Sequence, residues 1–270
     1  MTAVATREVS IILPYFNGKQ FISDTITSIV SQTFENFEAL IIDDGSTNAE
    51  DSLYLKELIN NHSDSRLRYL YKTNSGLSLT RNYGIELSIG TYIAFLDQDD
   101  IWAADKLEKQ VQILKNYPDV DLVCTGAKNI GQKDGHMSFA NRYKFLPGLV
   151  FDSYTQMLKA NFVAASSACF RRSTALENAG SNNKFRICPD YELFLRFSRN
   201  TNFFYINEPL TTYRWHENNT VRNIKQMEVE LIRVFVSAKI YKPRHALILI
   251  LKIIISFRNL ARISIVGLKA

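Results

Sequence analysis

The sequence predicts an α/β fold: a Rossmann-like, mostly parallel central sheet flanked by helices, followed by a helical, basic C-terminal extension. Three observations predict it. Continuous apolar runs alternate with helical segments through the first half of the chain. Polar residues collect where those runs end, at 14–17, 43–46, 73–76 and 97–100, and ligands of parallel sheets sit at that edge. Residues 231–270 contain no Asp or Glu, while Arg233, Lys239, Lys242, Arg244, Lys252, Arg258, Arg262 and Lys269 all lie there.

The elements follow in order. Residues 9–13 read as a strand and 19–32 as an amphipathic helix. Residues 37–42 are a strand and 51–61 a helix; 68–71 and 76–88 repeat the pair, as do 91–96 and 103–116. A short fifth strand is expected at 121–125. Residues 129–147 are Gly-rich and polar and read as a loop or hairpin. Beyond it the spacing predicts a strand at 166–171, a helix at 191–199, short strands at 203–206 and 210–214, and helix from 223 to the end. There is no internal repeat and no low-complexity linker, so residues 1–222 are expected to form one domain and 223–270 its extension.

With 270 residues and 46% hydrophobic content the chain can build a sizeable core. The net charge of +5 belongs largely to the tail, and no nucleic-acid partner is read from it. Cys124, Cys169 and Cys188 are odd in number and lack zinc spacing, which points to reduced thiols of a cytosolic protein. Residues 1–8 lack the basic start and apolar stretch of a signal peptide. The longest apolar run, 246–257, is broken by Lys252 and is shorter than the roughly 20 residues of a spanning helix.

The hexapeptide Phe95-Leu-Asp-Gln-Asp-Asp100 carries the most information. A buried strand ends in three carboxylates within four residues. Such crowding is repulsive unless a cation neutralises it, and oxygen ligands suit Mn²⁺ or Mg²⁺. The bland alternative is capping of the following helix, which needs one Asp rather than three. Asp43-Asp-Gly-Ser46 is a strand-ending turn or a contact to a nucleobase or ribose. Arg81 is a solvated helix residue or a phosphate partner near a helix start. Asp190 is expected at a helix N-cap, or as a general base for an acceptor hydroxyl. His216 is solvated, or a metal or phosphate contact. Trp102 stacks on a sugar face or fills the core.

Taken together, Val9–Asn17, Ser28–Phe34, Ile42–Thr47, Asn74–Gly76, Ala94–Asp100, Pro189-Asp190 and Tyr213–His216 resemble family 2 glycosyltransferases, inverting enzymes of the GT-A fold. The resemblance covers about residues 9–220. It implies that residues 1–125 bind a nucleotide-sugar donor and 126–222 hold the acceptor and the catalytic base. It implies that Pro14 and Phe16 line the nucleotide pocket, that Asp44 hydrogen-bonds the base, most often uracil, and that Arg81 lies near the base or pyrophosphate. Asp97 then begins the acidic motif beside the donor. Asp99 is the ribose-binding, metal-proximal residue, Asp100 the principal metal ligand and His216 a further metal or diphosphate contact. Asp190 is the catalytic base. Two departures stand out. Phe16 replaces a frequent Tyr, and Pro189 replaces a frequent Glu before the base, which leaves Glu192 as the fallback base.

The expected activity is transfer from a nucleotide-diphosphate sugar, a UDP-sugar by family habit, to a hydroxyl of a glycan or lipid-linked acceptor. A nucleotidylyltransferase and an inactive nucleotide-sugar-binding protein remain open at this point. In the tail, Arg244, Arg258, Arg262 and Lys269 fall on nearly one side of a helix among Leu and Ile. That pattern suits an interfacial helix, and a cytoplasmic protein held on the inner face of the cell membrane. The alternative is a helix packed on the catalytic domain or on a partner subunit.

Overall fold

The computed structural model describes residues 7–131, 147–217, 219 and 223–267. Strands β1 (Val9–Tyr15), β2 (Phe37–Asp43), β3 (Leu67–Tyr71) and β4 (Tyr92–Phe95) run parallel in the order β3-β2-β1-β4. Helices α1 (Ile22–Val30), α2 (Ala49–His62) and α3 (Leu77–Leu87) make the crossovers between them. Every residue of β1, β2 and β4 is buried, as expected of strands covered on both faces. Side chains alternate between the faces. Ile12, Leu40, Ile42 and Phe95 join one core, and Ile11, Leu13, Ala39 and Ile41 join the other. Gly84 lets α3 lie close on β1, since a Cβ there would stand 2.5 Å from the Ile12 side chain.

Past β4 the sheet is mixed, which corrects the mostly parallel expectation. The strand order continues β4-β8-β6-β9-β5, with β7 (Gly148–Val150) also on β9. The three-residue β8 (Cys169–Arg171) is antiparallel to both β4 and β6 (Val120–Gly131). β5 (Ile101–Trp102) and β7 are antiparallel to β9 (Asn202–Trp215), while β6 and β9 are parallel. A strand this short carries no sign of its direction in its composition. The two strands expected at 203–206 and 210–214 are one strand. Two of the three register shifts in its pairing with β6 flank Gly126, opposite Pro209, which has no N–H to give the ladder.

The helix expected at 103–116 is α4 (Lys106–Asn116), and Asp105 takes its N-cap position. None of Asp97, Asp99 and Asp100 therefore caps it. Short helices α5 (Ser153–Lys159) and α6 (Arg172–Glu177) have no counterpart in the sequence reading. Helix α7 (Pro189–Phe197) starts after Cys188, so Asp190 is its second residue and not its N-cap. Residues 132–146, within the expected loop, lie outside the described residues, as does Lys269.

The extension is two helices, α8 (Ile224–Ser237) and α9 (Pro243–Gly267), with the second opening at Pro243, a favourable first helical residue. Both pack on the domain. Val234, Phe235 and Leu249 belong to the core that contains Tyr191 and Phe194 of α7. His245 is buried and hydrogen-bonded to Thr155 Oγ1 at 2.9 Å, and Arg244 and Lys242 both bind Asp152. The opposite side of α9 leaves Leu247, Ile250, Leu251, Ile254, Ile255 and Phe257 exposed, with Arg258 and Arg262 among them. No helix among the described residues is long and apolar enough to cross a membrane.

Candidate active site at the carboxyl edge of the sheet

The ends of β1, β2 and β4 are tied to one another by side chains. Gln98, the uncharged residue of the acidic motif, accepts from the Phe16 amide at 2.8 Å and donates to the Phe16 carbonyl at 3.2 Å. Gly18 leaves room for it, since a Cβ there would meet the Gln98 amide at 2.3 Å. Asn17 sits in the left-handed region at φ 49° and bonds Ser46 and Thr47 across to the end of β2. Pro14 is buried beneath this junction and Phe16 is 39% exposed above it.

Asp44 is buried and fully engaged. Its carboxylate accepts from Lys72 Nζ at 2.5 Å, the Ser75 amide at 2.9 Å and the Gly76 amide at 2.8 Å. Burial pushes its pKa up, but these donors, with Thr80, outweigh it and hold the carboxyl below the usual range. Gly45, at φ +67°, allows the close approach of Asn74, whose amide would otherwise stand 2.6 Å from a Cβ. The pair Asp44–Lys72 thus shapes the loop from which α3 begins.

Arg81 on α3 is not a solvated helix residue. It is 1% exposed, lies over the Phe95 ring at 5.0 Å and donates from Nη2 to Asp97 at 2.7 Å. Its Nε and Nη1 are buried without a hydrogen-bond partner. A buried guanidinium with idle donors is costly unless an anion reaches it.

Asp99 is hydrogen-bonded to His216 Nε2 at 2.7 Å, a contact that joins the ends of β4 and β9. Asp100 is 2% exposed and accepts from the Arg214 amide at 3.1 Å and from the Ser166 hydroxyl, whose oxygen also accepts from the Asp97 amide. Burial raises the Asp99 pKa first, the charge of Asp97 adds to it, and His216 opposes it. Asp100 is pushed well above the usual range by burial and then by Asp99 and Asp97. Asp190 joins this group from α7. Burial and Asp97 raise its pKa, and Arg81 holds it down. The Tyr213 phenol is raised by burial and then by Asp100, Asp99, Asp97 and Asp190, so one buried ring senses all four acids.

The structure therefore brings Arg81, Asp97, Asp99, Asp100, Asp190 and His216 to one place. It does not gather Asp99, Asp100 and His216 as a three-ligand metal set, and among the described residues no three His, Cys, Asp or Glu side chains are so arranged. The reason is local. Asp100 turns inward to Arg214 and Ser166, while Asp99 turns to His216.

Two readings left open by the sequence are closed. Glu192 cannot serve as the fallback base, because both of its oxygens are bound by Arg196 at 2.6 and 2.9 Å. Trp102 is 4% exposed, donates to the Ser166 carbonyl at 2.7 Å and is core rather than a sugar platform.

Several residues of the site have no local signal in the sequence. Ser166 reaches the acidic motif from 69 positions away. Glu230 of α8 is 2% exposed and accepts the backbone amides of Arg186, Ile187 and Cys188 at 2.8–3.1 Å, fixing the loop that leads into Asp190. Lys106 is fully buried over the Trp102 ring at 4.0 Å and bonded to Gln110 at 2.6 Å, and burial depresses its pKa to about 7.

The profile described as glycosyl transferase family 2 matches residues 10–178, which include β1, β2, β4 and the acidic motif. The chain belongs to glycosyl transferase family 2. By family it is a glycosyltransferase. The uncharacterized glycosyltransferase RT0329 of Rickettsia typhi is 27% identical over 227 residues, spanning 82% of this chain and 68% of that protein. The Escherichia coli enzyme WfgD, named UDP-Glc:alpha-D-GlcNAc-diphosphoundecaprenol beta-1,3-glucosyltransferase, is 43% identical over 110 residues. That match spans 40% of this chain and only 42% of WfgD. Among solved structures, residues 1–349 of S. aureus TarS in complex with UDP-GlcNAc superpose with a TM-score of 0.72 at 16% identity. They cover 90% of this chain and 70% of that one, a likeness of fold.

Proposed function

We propose that this chain is an inverting glycosyltransferase that moves a sugar from a nucleotide-diphosphate sugar, a UDP-sugar first among them, to a hydroxyl of a glycan or lipid-linked acceptor. The observation that carries the reading is Asp190, delivered by α7 beside Arg81 and Asp97 with a raised pKa. A carboxylate closer to neutrality is a better general base than an ordinary one. WfgD, whose name states a UDP-glucose donor and a lipid diphosphate acceptor, and the UDP-GlcNAc complex of TarS support the choice of donor.

Each residue has a role in this reading. Pro14 and Phe16 border the nucleotide, and Asp44, its carboxylate already bound by Lys72 and the 75–76 amides, holds the loop beside the base. Asp97 and Asp99 face the ribose and diphosphate side. Arg81 supplies idle donors of the kind a diphosphate oxygen satisfies. Asp190 takes the proton from the acceptor hydroxyl as that oxygen attacks the anomeric carbon. The bond to the diphosphate breaks on the opposite face, and the electron pair leaves with the diphosphate. One base suffices, since no covalent intermediate forms. Asp99 and Asp100, raised first by burial and then by neighbouring carboxylates, have the oxygen chemistry a hard cation takes, although they are not gathered with His216 as a three-ligand set. Bound Mn²⁺ or Mg²⁺ would offset charge on the leaving diphosphate.

The test is thermal stabilisation by UDP, GDP, TDP, CDP and ADP, each with Mn²⁺ and with EDTA. A ligand that binds the native state raises its apparent stability. The reading expects a shift with one diphosphate, UDP first, that shrinks in EDTA. No shift with any nucleotide would sink it.

The exposed apolar side of α9, with Arg258 and Arg262 among its residues, supports peripheral contact with the inner face of the cell membrane. Ile250→Glu with Ile254→Glu removes two exposed apolar residues and should release the protein from vesicles without lowering its melting temperature. Unchanged vesicle binding would defeat the membrane reading.

A further inference from the structure

On the side of α7 turned away from Asp190 lies a second cleft, of about 810 Å³, between residues 182–186, α7 and α8. Its charges are one-sided. Lys184, Arg186, Arg199 and Arg233 line it, and its carboxylate, Glu192, is already held by Arg196. Lys184, Arg186 and Arg233 are exposed. Arg199 reaches the Tyr154 phenol, yet its Nε is buried with no hydrogen-bond partner.

Four cations around one concavity, whose one lining carboxylate is already paired with Arg196, repel one another until an anion enters. Guanidinium and ammonium groups together match the several oxygens of a phosphoryl group better than a single carboxylate. The surroundings narrow the choice further. Arg233 stands on α8, which packs against α9 with its exposed apolar side, and Val236 of the same helix as Arg233 is 70% exposed. Phosphate beside hydrocarbon is the chemistry of a lipid headgroup, or of a lipid that carries a diphosphate.

We propose that this cleft binds a phosphoryl group carried on a lipid. The cleft also touches the catalytic machinery. Arg186 contributes its side chain to the cleft and its amide to Glu230, in the loop that enters Asp190. Occupancy would therefore hold that loop from a second side. The inference rests on the cleft alone, so it stands or falls separately from the donor site.

The experiment compares the full chain with Lys184→Gln/Arg233→Gln, a pair exposed enough to leave the fold intact. Arg186→Gln serves as a second variant. One arm follows thermal stabilisation by inorganic pyrophosphate with saturating UDP present. The other follows sedimentation with phosphatidylcholine vesicles, with and without phosphatidylglycerol. UDP binding is read in the same samples and should be equal throughout, which separates failure of the cleft from failure of the donor site. A pyrophosphate shift weakened about tenfold or more in the variants supports a lipid-borne diphosphate. A similar loss confined to phosphatidylglycerol vesicles supports a headgroup. Equal behaviour of parent and variants in both arms overturns the proposal.

Discussion

At the end of β2, Asp44 is buried and holds its charge easily; at the end of β4, half-buried Asp99 and buried Asp100 hold theirs badly. Both sites lie on the same edge of the same sheet. The difference is the supply of donors. Asp44 has an ammonium and two backbone amides, enough to overcome desolvation. Asp100 has one amide and one hydroxyl, and two carboxylates beside it. Glu230 resembles Asp44, with three amides converging on it. A buried acid satisfied by its own chain fixes a loop. Buried acids left short of donors mark where the chain is completed by something from outside.

The largest effect should come from the proposed base. Asp190→Asn is expected to cut kcat by about 10²–10⁴-fold while nucleotide still binds. Asp99→Asn should likewise lose activity, with a melting temperature that stays level or rises because repulsion is relieved. Asp44→Asn should do the reverse in stability, losing about 1–3 kcal/mol as its charged contacts go. If Asp99→Asn proves as destabilising as Asp44→Asn, the contrast between the two strand ends is broken.

Glu230→Ala leaves three amides without an acceptor and should lower kcat more than it changes UDP affinity, with partial recovery in Glu230→Gln. Loss of UDP binding in equal proportion would reduce Glu230 to a general prop of the fold.

The smallest effect is on pH dependence, and its sign differs between the two ends. The Asp44 pKa is depressed in the folded chain. Its contribution to stability is present above the unfolded carboxylate value of about 3.9 and is lost as pH falls through the lower folded value. The Asp99 and Asp100 values are raised. Their protonated forms favour folding, and that contribution is lost as pH rises from about 3.9 through the raised values. Urea midpoints measured from pH 3 to 8 should show the alkaline-side decline flatten in Asp100→Asn and the acid-side decline flatten in Asp44→Asn. Parallel curves for parent and both variants would remove the distinction.

The first half of the fold was legible because its information is local. β1, β2 and β4 are mostly apolar runs, and Asp97–Asp100 marks the end of one by its own composition. The second half was not. The direction of the three-residue β8, the union of residues 202–215 into one strand and the division of the tail at Pro243 depend on which partners the chain meets. The tail shows the limit best. Its basic, apolar composition pointed first to a membrane-surface helix and second to a packed one, and the structure gives α9 one buried side and one exposed apolar side.

By itself the sequence determined the α/β class, the parallel strands β1 to β4 and the identity of the acids, because strand runs and charge clusters are properties of neighbours in the chain. Only the tertiary structure decided which acids are satisfied. Asp44 meets Lys72 and Asp190 meets Arg81 and Asp97; Asp100 meets Ser166 and Glu230 meets the 186–188 amides. Those meetings join residues distant in sequence, and whether a buried carboxylate is neutralised, repelled or left waiting is set by what surrounds it in space.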